Sequence, residues 1–245
     1  MSADALRPGT IIRRHRLATR LWHWINAIAI FVLLGSGLMI LNAHPQLYWG
    51  HYGANFDQPW FRVGWVFEGN RVPGWLTIPA SYDLALARRW HLLFAPVLGF
   101  GLLVFIVASL ANRHFGRDLA VRRGELSRRH LAEDVRDHLA FRFHDRDDPG
   151  RYNTLQKLSY VLVIFVLIPL VIATGLTMSP NLTAAWPWLL DLFGGRQSAR
   201  SIHFIAAIGI AGFTVVHLVL VILAGVVNEL RSIVTGEWRV PEEHS

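Results

Sequence analysis

The sequence contains no cysteine, and charged residues make up only 17% of its 245 residues. Without cysteine the chain cannot form disulfides, thiolate zinc sites, cysteine-held iron–sulfur clusters or a thioether-linked haem. A typical soluble domain has about 25% charged residues, so the deficit indicates a membrane protein. The hydrophobic share of 53% and the mean hydropathy of +0.34 indicate the same class.

Four long apolar runs account for this composition, and none of them contains Asp or Glu; they are Leu21–Leu41, Trp90–Asn112, Leu158–Pro180 and Ser201–Asn228. A helix of about 20 apolar residues spans a bilayer, and within lipid only a helix satisfies its own backbone hydrogen bonds. We therefore predict an all-α integral membrane four-helix bundle that forms one domain over residues 1–245. The predicted transmembrane helices are residues 18–42, 83–112, 153–179 and 199–231.

The basic residues predict the orientation of these helices. Of the 24 Lys and Arg residues, 18 lie before or at the start of helix 1, between helices 2 and 3, at the start of helix 3, or at or beyond the end of helix 4. The positive-inside rule places both termini and the long loop 113–152 in the cytoplasm, and the long loop 43–82 on the outer side. The net charge of +7 is then a topology signal and does not indicate nucleic-acid binding. Helix 1 is too long for a signal-peptide core, so we expect a retained anchor.

Each long loop has a distinct composition. The outer loop is rich in tryptophan, which suits an interfacial aromatic belt or a surface for a protein partner; its tryptophans are Trp49, Trp60, Trp65 and Trp75. In the inner loop, Ser127 is a candidate cap for a helix on the membrane surface. The apolar face of that helix would contain Leu131, Val135 and Leu139.

Four of the 12 histidines lie within the apolar helices, where an ionisable residue is costly and suggests function. His203 and His217 are 14 residues apart on helix 4. That spacing is close to four helical turns, so both face the same direction, about 21 Å apart along the axis. By depth, His91 in helix 2 matches His203 on the outer side, and His23 in helix 1 matches His217 on the inner side.

Two imidazoles on facing helices supply the two axial nitrogens of a six-coordinate b-type haem. The histidines therefore predict two b haems, an outer one on His91 and His203 and an inner one on His23 and His217. His44, at the outer end of helix 1, is an alternative ligand for the outer haem. A single buried histidine could instead bond a neighbouring helix.

Arginines and glycines near these histidines fit the haem interpretation without deciding it. Arg88, Arg89 and Arg200 could pair with outer haem propionates and Arg20 with inner ones, or all four could be interfacial anchors. Paired glycines in helices 1, 2 and 4 would allow a flat macrocycle to approach, but glycine also favours ordinary helix packing in membranes.

Several motifs resemble the bacterial di-haem cytochrome b family. They are RLWHWINA at residues 20–27, GSGL at 35–38, YNTLQK at 152–157, TGL at 174–176, and the two histidines of helix 4. That family includes the cytochrome b subunits of formate dehydrogenase, nickel–iron hydrogenase and thiosulfate reductase, and prokaryotic cytochrome b561. The resemblance covers all four helices, from about residue 13 to 235.

The resemblance implies the same ligand pairing and adds a quinone site beside the inner haem, for menaquinone or ubiquinone. Asn153 matches the quinone-contacting asparagine of the family, and Gln156 and Lys157 match its neighbours. A quinone carbonyl needs a hydrogen-bond donor and its reduction needs protons, both of which are available at this interface. Polar residues at a helix start beside lipid headgroups are the alternative interpretation.

We therefore expect a subunit of the bacterial inner membrane that passes electrons between a periplasmic redox enzyme and the quinone pool. The tryptophan-rich outer loop resembles that of cytochromes that accompany molybdenum enzymes. A stand-alone b561-type oxidoreductase that acts on a small substrate is one alternative. A haem-free metal transporter is another, but such sites normally add carboxylates, which the apolar runs lack.

Overall fold

The computed structural model describes residues 9–54, 56–111, 127, 132, 134–136 and 154–240. Four of the helices in these ranges are long and apolar enough to cross a membrane. They confirm the predicted all-α membrane helical bundle. The helices are α1 Leu17–Ala43, α2 Leu84–Ala111, α3 Thr154–Met178, α4 Pro180–Ala185, α5 Trp188–Leu192, α6 Arg196–Leu223 and α7 Val226–Thr235.

The strands are short and form two antiparallel ribbons. The first ribbon joins β1 to β4 and the second joins β2 to β3. Three 3₁₀ turns follow β3 within the loop between α1 and α2. The strands are β1 Ile11–Arg13, β2 Gln46–Leu47, β3 Phe61–Arg62 and β4 Glu237–Arg239, and the turns are Val63–Trp65, Glu68–Asn70 and Gly74–Leu76.

The predicted boundaries of the first three long helices are close to those observed, but the fourth prediction is wrong at its end. A single helix was expected over 199–231, whereas α6 ends at Leu223 and α7 begins at Val226. Gly225 between them has φ of 102°, a left-handed conformation that ends a helix and that glycine adopts without steric cost.

Helix α3 contains a π-helical segment at Val163–Leu167. Pro169 lies two residues beyond it and has no N–H to donate to a carbonyl one turn earlier. The wider turn accommodates that missing bond, so the helix continues to Met178 without ending at the proline.

The predicted surface helix of the inner loop falls mostly outside the described residues. Leu131 and Leu139 lie outside them, and Asp134–Arg136 are helical. The Asp134 carboxylate accepts a 3.1 Å hydrogen bond from the backbone N–H of Thr154, the first residue of α3. A carboxylate at this position satisfies a backbone donor that the helix itself leaves unpaired.

Large apolar side chains remain exposed along the long helices. On α2, Leu92, Phe100 and Val104 are each about two-thirds exposed, at 66%, 68% and 65%. A water-soluble monomer rarely leaves apolar surface of this extent uncovered. Lipid contact accounts for it, which agrees with the length of the helices.

The chain forms two compact units. The first unit is Met1–Ile25, Leu103–Leu162 and Phe213–Ser245, and the second unit is Asn26–Leu102 and Val163–Gly212. The first unit contains the β1–β4 ribbon, and the second contains the β2–β3 ribbon. Each unit is described separately below.

The first unit is held by a clasp between β1 and the segment α7–β4. Trp238 lies opposite Ile12 in the ribbon and is fully buried. Its Nε1 donates a 3.0 Å hydrogen bond to the Glu229 carboxylate, which also accepts one from Arg14 at 3.2 Å. The Arg14 guanidinium lies 5.0 Å from the centre of the Trp238 ring. Trp238 thus contributes buried apolar surface, a hydrogen bond and a cation–π contact to this ribbon.

In the second unit, the loop between α1 and α2 is folded and has its own apolar core. Leu41, Leu47, Val63 and Val72 are buried against one another. The side chain of Asn42 exchanges two hydrogen bonds with the backbone of Val72, at 3.1 and 2.7 Å. The loop is therefore fixed to the end of α1.

The same loop also binds the start of α6. The Gly50 carbonyl accepts hydrogen bonds from the backbone N–H groups of Gln197 and Ser198. Ser201 donates to the Tyr48 carbonyl at 2.6 Å and accepts from the Trp60 indole at 2.8 Å. These bonds satisfy the unpaired donors of the helix terminus. They also hold the segment that precedes His203.

Replacement of Trp238 tests the clasp. We expect Trp238→Ala to destabilise the protein by about 3–5 kcal/mol, because a fully buried aromatic and its hydrogen bond are lost together. The measurement is the thermal unfolding midpoint in detergent. Trp75→Ala is the matched control, since Trp75 is 80% exposed and its loss should have little effect. Equal stability losses in the two variants would contradict the role of the clasp.

Candidate functional site

His91 and His203 meet in the second unit. His91 lies in the first third of α2 and His203 in the first third of α6. Their ring centres are 6.2 Å apart and their planes are inclined by 56°. The rings are too far apart to bond directly and close enough to share one bound atom.

Each of these two rings also contacts a hydroxyl group. Ser36 Oγ on α1 is 3.0 Å from His91 Nδ1, and Thr174 Oγ1 on α3 is 3.1 Å from His203 Nδ1. All four long helices therefore contribute a side chain at this place in the second unit. Ser36 and Thr174 were not among the predicted site residues, although they lie in the motifs GSGL and TGL.

His23 and His217 meet in the first unit with nearly the same geometry. Their ring centres are 6.3 Å apart and their planes are inclined by 57°. The Phe213 ring stacks on His217 at 5.8 Å, and Trp24 makes an edge contact with His23 at 5.4 Å. The Nδ1 atom of His23 is buried without a hydrogen-bond partner among the described residues.

The donor set of each pair fits the iron of a haem. Two metal–nitrogen bonds of roughly 2 Å, placed end to end between two imidazoles, separate the ring centres by about 6 Å. Two histidines complete the coordination of a metal whose other ligands come from a macrocycle. Among the described residues, no group of three or more His, Cys, Asp or Glu side chains is placed to hold a bare metal ion.

Four of the glycines in α1, α2 and α6 differ in what surrounds them. Gly35 packs against the Ile78 side chain and Gly209 against that of Leu167, so both serve close packing. Gly99 and Gly212 have no described atom within 4 Å of the position where a Cβ would stand. They leave open surface on α2 and α6, which suits a flat ligand or lipid.

The predicted propionate partners differ in their surroundings. Arg20 donates to the Val234 carbonyl in the first unit, and Arg200 donates to the His44 carbonyl in the second. Arg88 and Arg89 are exposed on α2. Arg20 and Arg200 thus have a role in the fold, and Arg88 and Arg89 are accessible to an anionic group.

His44 is exposed, and its backbone carbonyl is bound by Arg200. The structure brings His203, and not His44, to the ring of His91.

Two of the three predicted quinone residues lie within the described part of the chain. Lys157, the only lysine of the sequence, is 4% exposed on the first turn of α3, and Gln156 beside it is half-buried. Asn153 lies outside the described residues. A buried ammonium group is costly in an apolar setting and is retained where it has a partner or a function.

A family model described as prokaryotic cytochrome b561 matches residues 14–236. The chain is 27% identical to a protein of Azospira oryzae named "Putative protein-methionine-sulfoxide reductase subunit YedZ1", over 83% of this chain and 87% of the relative. It is 24% identical to the "Probable Ni/Fe-hydrogenase B-type cytochrome subunit" of Cupriavidus necator, over 81% of this chain and 74% of that relative. No solved structure matches the chain significantly.

Proposed function

The chain belongs to the prokaryotic cytochrome b561 family, and from this premise we propose that it is a di-haem subunit that carries electrons between a periplasmic redox enzyme and membrane quinone. It is a multi-pass protein of the inner membrane and a cytochrome b561-type electron-transfer subunit. The proposal of two haems is supported by the two histidine pairs, which have nearly the same geometry and lie one in each unit.

His91 and His203 would hold the outer haem, and His23 and His217 the inner one. Bound haem iron supplies one-electron chemistry, since it alternates between the ferric and ferrous states. His203 and His217 both lie on α6, so this one helix carries a proposed ligand of each haem.

Lys157 and Gln156 on α3, together with Asn153, would form the quinone site beside the inner pair. The Lys157 ammonium donates hydrogen bonds and is a point charge that stabilises an anionic quinone oxygen. The start of α3 also lies near water in the proposed orientation, so protons are available at the quinone oxygens.

A redox enzyme subunit is the proposed partner on the outer side. Both relatives are named as subunits of such enzymes, a hydrogenase in one case and a methionine-sulfoxide reductase in the other. The folded loop between α1 and α2 supports this proposal, because it is fixed to α1 and α6 and displays exposed aromatic side chains. These are Trp49, Tyr52, Trp65 and Trp75, which are 52%, 90%, 63% and 80% exposed.

Loss of one ligand should remove one haem. We expect His203→Ala and His217→Ala each to lower the content from two b haems per chain to one, as measured by the pyridine haemochrome assay on purified protein. His44→Ala is the control and should retain both haems, since its side chain is exposed. Two haems per chain in His217→Ala would show that the pairing is wrong.

Lys157→Met tests the quinone site, because it keeps the stem of the side chain and removes the charge. We expect reduction of the haems by a water-soluble quinol to slow by about tenfold, which corresponds to one charged hydrogen bond. Ser159→Ala, two residues further along α3, is the control. Reduction by dithionite should be equal in all three proteins, and an unchanged quinol rate in Lys157→Met would exclude the proposed role.

The absence of cysteine allows a direct test of orientation. Glu68 lies in the loop between α1 and α2, Ser127 lies in the loop between α2 and α3, and both are exposed. In intact spheroplasts, a membrane-impermeant maleimide should label Glu68→Cys at once. It should label Ser127→Cys only after the membrane is permeabilised. The reverse pattern would invert the topology and place the quinone site on the outer side.

A further inference from the structure

Each histidine of the His91/His203 pair has a hydroxyl partner that is wholly buried. Ser36 and Thr174 both have an exposure of 0%. Each hydroxyl also lies close to the carbonyl four residues earlier in its own helix. Ser36 Oγ is 2.6 Å from the Val32 oxygen, and Thr174 Oγ1 is 2.6 Å from the Leu170 oxygen.

These contacts fix the position of the protons. A backbone carbonyl can only accept, so at 2.6 Å the single hydroxyl proton of Ser36 must point to Val32. The hydroxyl oxygen then has only lone pairs to offer His91, and the proton between them belongs to His91 Nδ1. The same reasoning gives His203 a proton on Nδ1, held by Thr174. In both rings Nε2 is therefore the unprotonated nitrogen, the one able to bind a metal.

We infer that Ser36 and Thr174 are positioning residues that fix the tautomer and orientation of both outer haem ligands and lower the reduction potential of that haem. The inference rests on the proposed function, since it takes His91 and His203 as axial ligands. An imidazole that donates its Nδ1 proton is a more basic ligand, which favours the ferric state. Loss of the acceptor therefore raises the potential.

The surroundings of His91 and of His203 share one sequence feature, on α1 and on α3 respectively. A glycine follows each hydroxyl residue, as Ser36-Gly37 on α1 and Thr174-Gly175 on α3. A Cβ at Gly37 would stand 3.5 Å from Cε1 of His91, and one at Gly175 would stand 3.5 Å from Cε1 of His203. A methyl group would already touch each ring, so a longer side chain would compete with the imidazole for its place.

The other histidine pair lacks this arrangement. His23 Nδ1 is buried without a hydrogen-bond partner among the described residues, and His217 is stacked on Phe213. Among the described residues, only the His91/His203 pair therefore has a hydroxyl against Nδ1 of both rings. Substitution of Ser36 or Thr174 should consequently affect one haem and leave the other unchanged.

The test is a potentiometric titration of the purified di-haem protein, followed in the visible spectrum. Thr174→Val keeps the volume of the side chain and removes its hydroxyl, and Ser36→Ala removes the other one. Each should raise the midpoint potential of one haem, the same haem in both variants. That haem should be the one that His203→Ala lacks. Thr174→Ser restores a hydroxyl and should return the potential towards that of the wild type.

Thr177→Val is the matched control. Thr177 is also fully buried on α3 and its hydroxyl binds the Ala173 carbonyl at 2.9 Å, away from both rings of the pair. This variant should leave both potentials unchanged, which separates the loss of an imidazole partner from the loss of a buried hydroxyl.

Three results would overturn the inference. They are unchanged potentials in Thr174→Val and Ser36→Ala, shifts in different haems, or a shift of equal size in Thr177→Val. The backbone of Leu33 also bonds the His91 ring, and that of Val171 bonds the His203 ring. Unchanged potentials would mean that these backbone groups alone hold the two imidazoles. A wild-type preparation without two haems would instead contradict the proposed function, so the two failures are distinguishable.

Discussion

A buried imidazole has two ring nitrogens, and within an apolar bundle neither can be left without a partner except at a cost of a few kcal/mol. This constraint accounts for the arrangement around His91 and His203, where a hydroxyl lies against one nitrogen of each ring and the two ring centres are 6.2 Å apart. In the proposed function, the remaining nitrogen of each ring would bind the haem iron.

Other parts of the chain hold the helices that carry these histidines. In the second unit the folded loop binds the end of α1 and the start of α6, which support Ser36 and His203 respectively. In the first unit the Trp238 clasp joins β1, which precedes α1 and His23, to α7, which follows α6 and His217. Each unit therefore uses polar bonds to fix the ends of helices that carry the paired histidines, where contacts between apolar helix surfaces alone give little specificity.

Much of the fold was predictable because a bilayer imposes a simple rule on sequence. The four helices follow from the apolar runs, and the meeting of His91 with His203 and of His23 with His217 follows from their depth in those runs. The break at Gly225 was missed because a single glycine within an apolar stretch is compatible with a continuous helix. The clasp was missed because strands of three residues leave no periodic signal, and their pairing joins segments more than 200 residues apart. Ser36 and Thr174 were missed as ligand partners because a hydroxyl in a membrane helix usually bonds its own backbone, and only the structure shows the second bond to histidine.

The most direct test of the account is the number of haems in the purified wild-type chain. The reduced-minus-oxidised spectrum, with a pyridine haemochrome assay and a protein determination on the same sample, gives the type of haem and its ratio to protein. The two histidine pairs predict two b haems per chain. One haem per chain would mean that one pair is structural, and none in a folded sample would contradict the electron-transfer function itself.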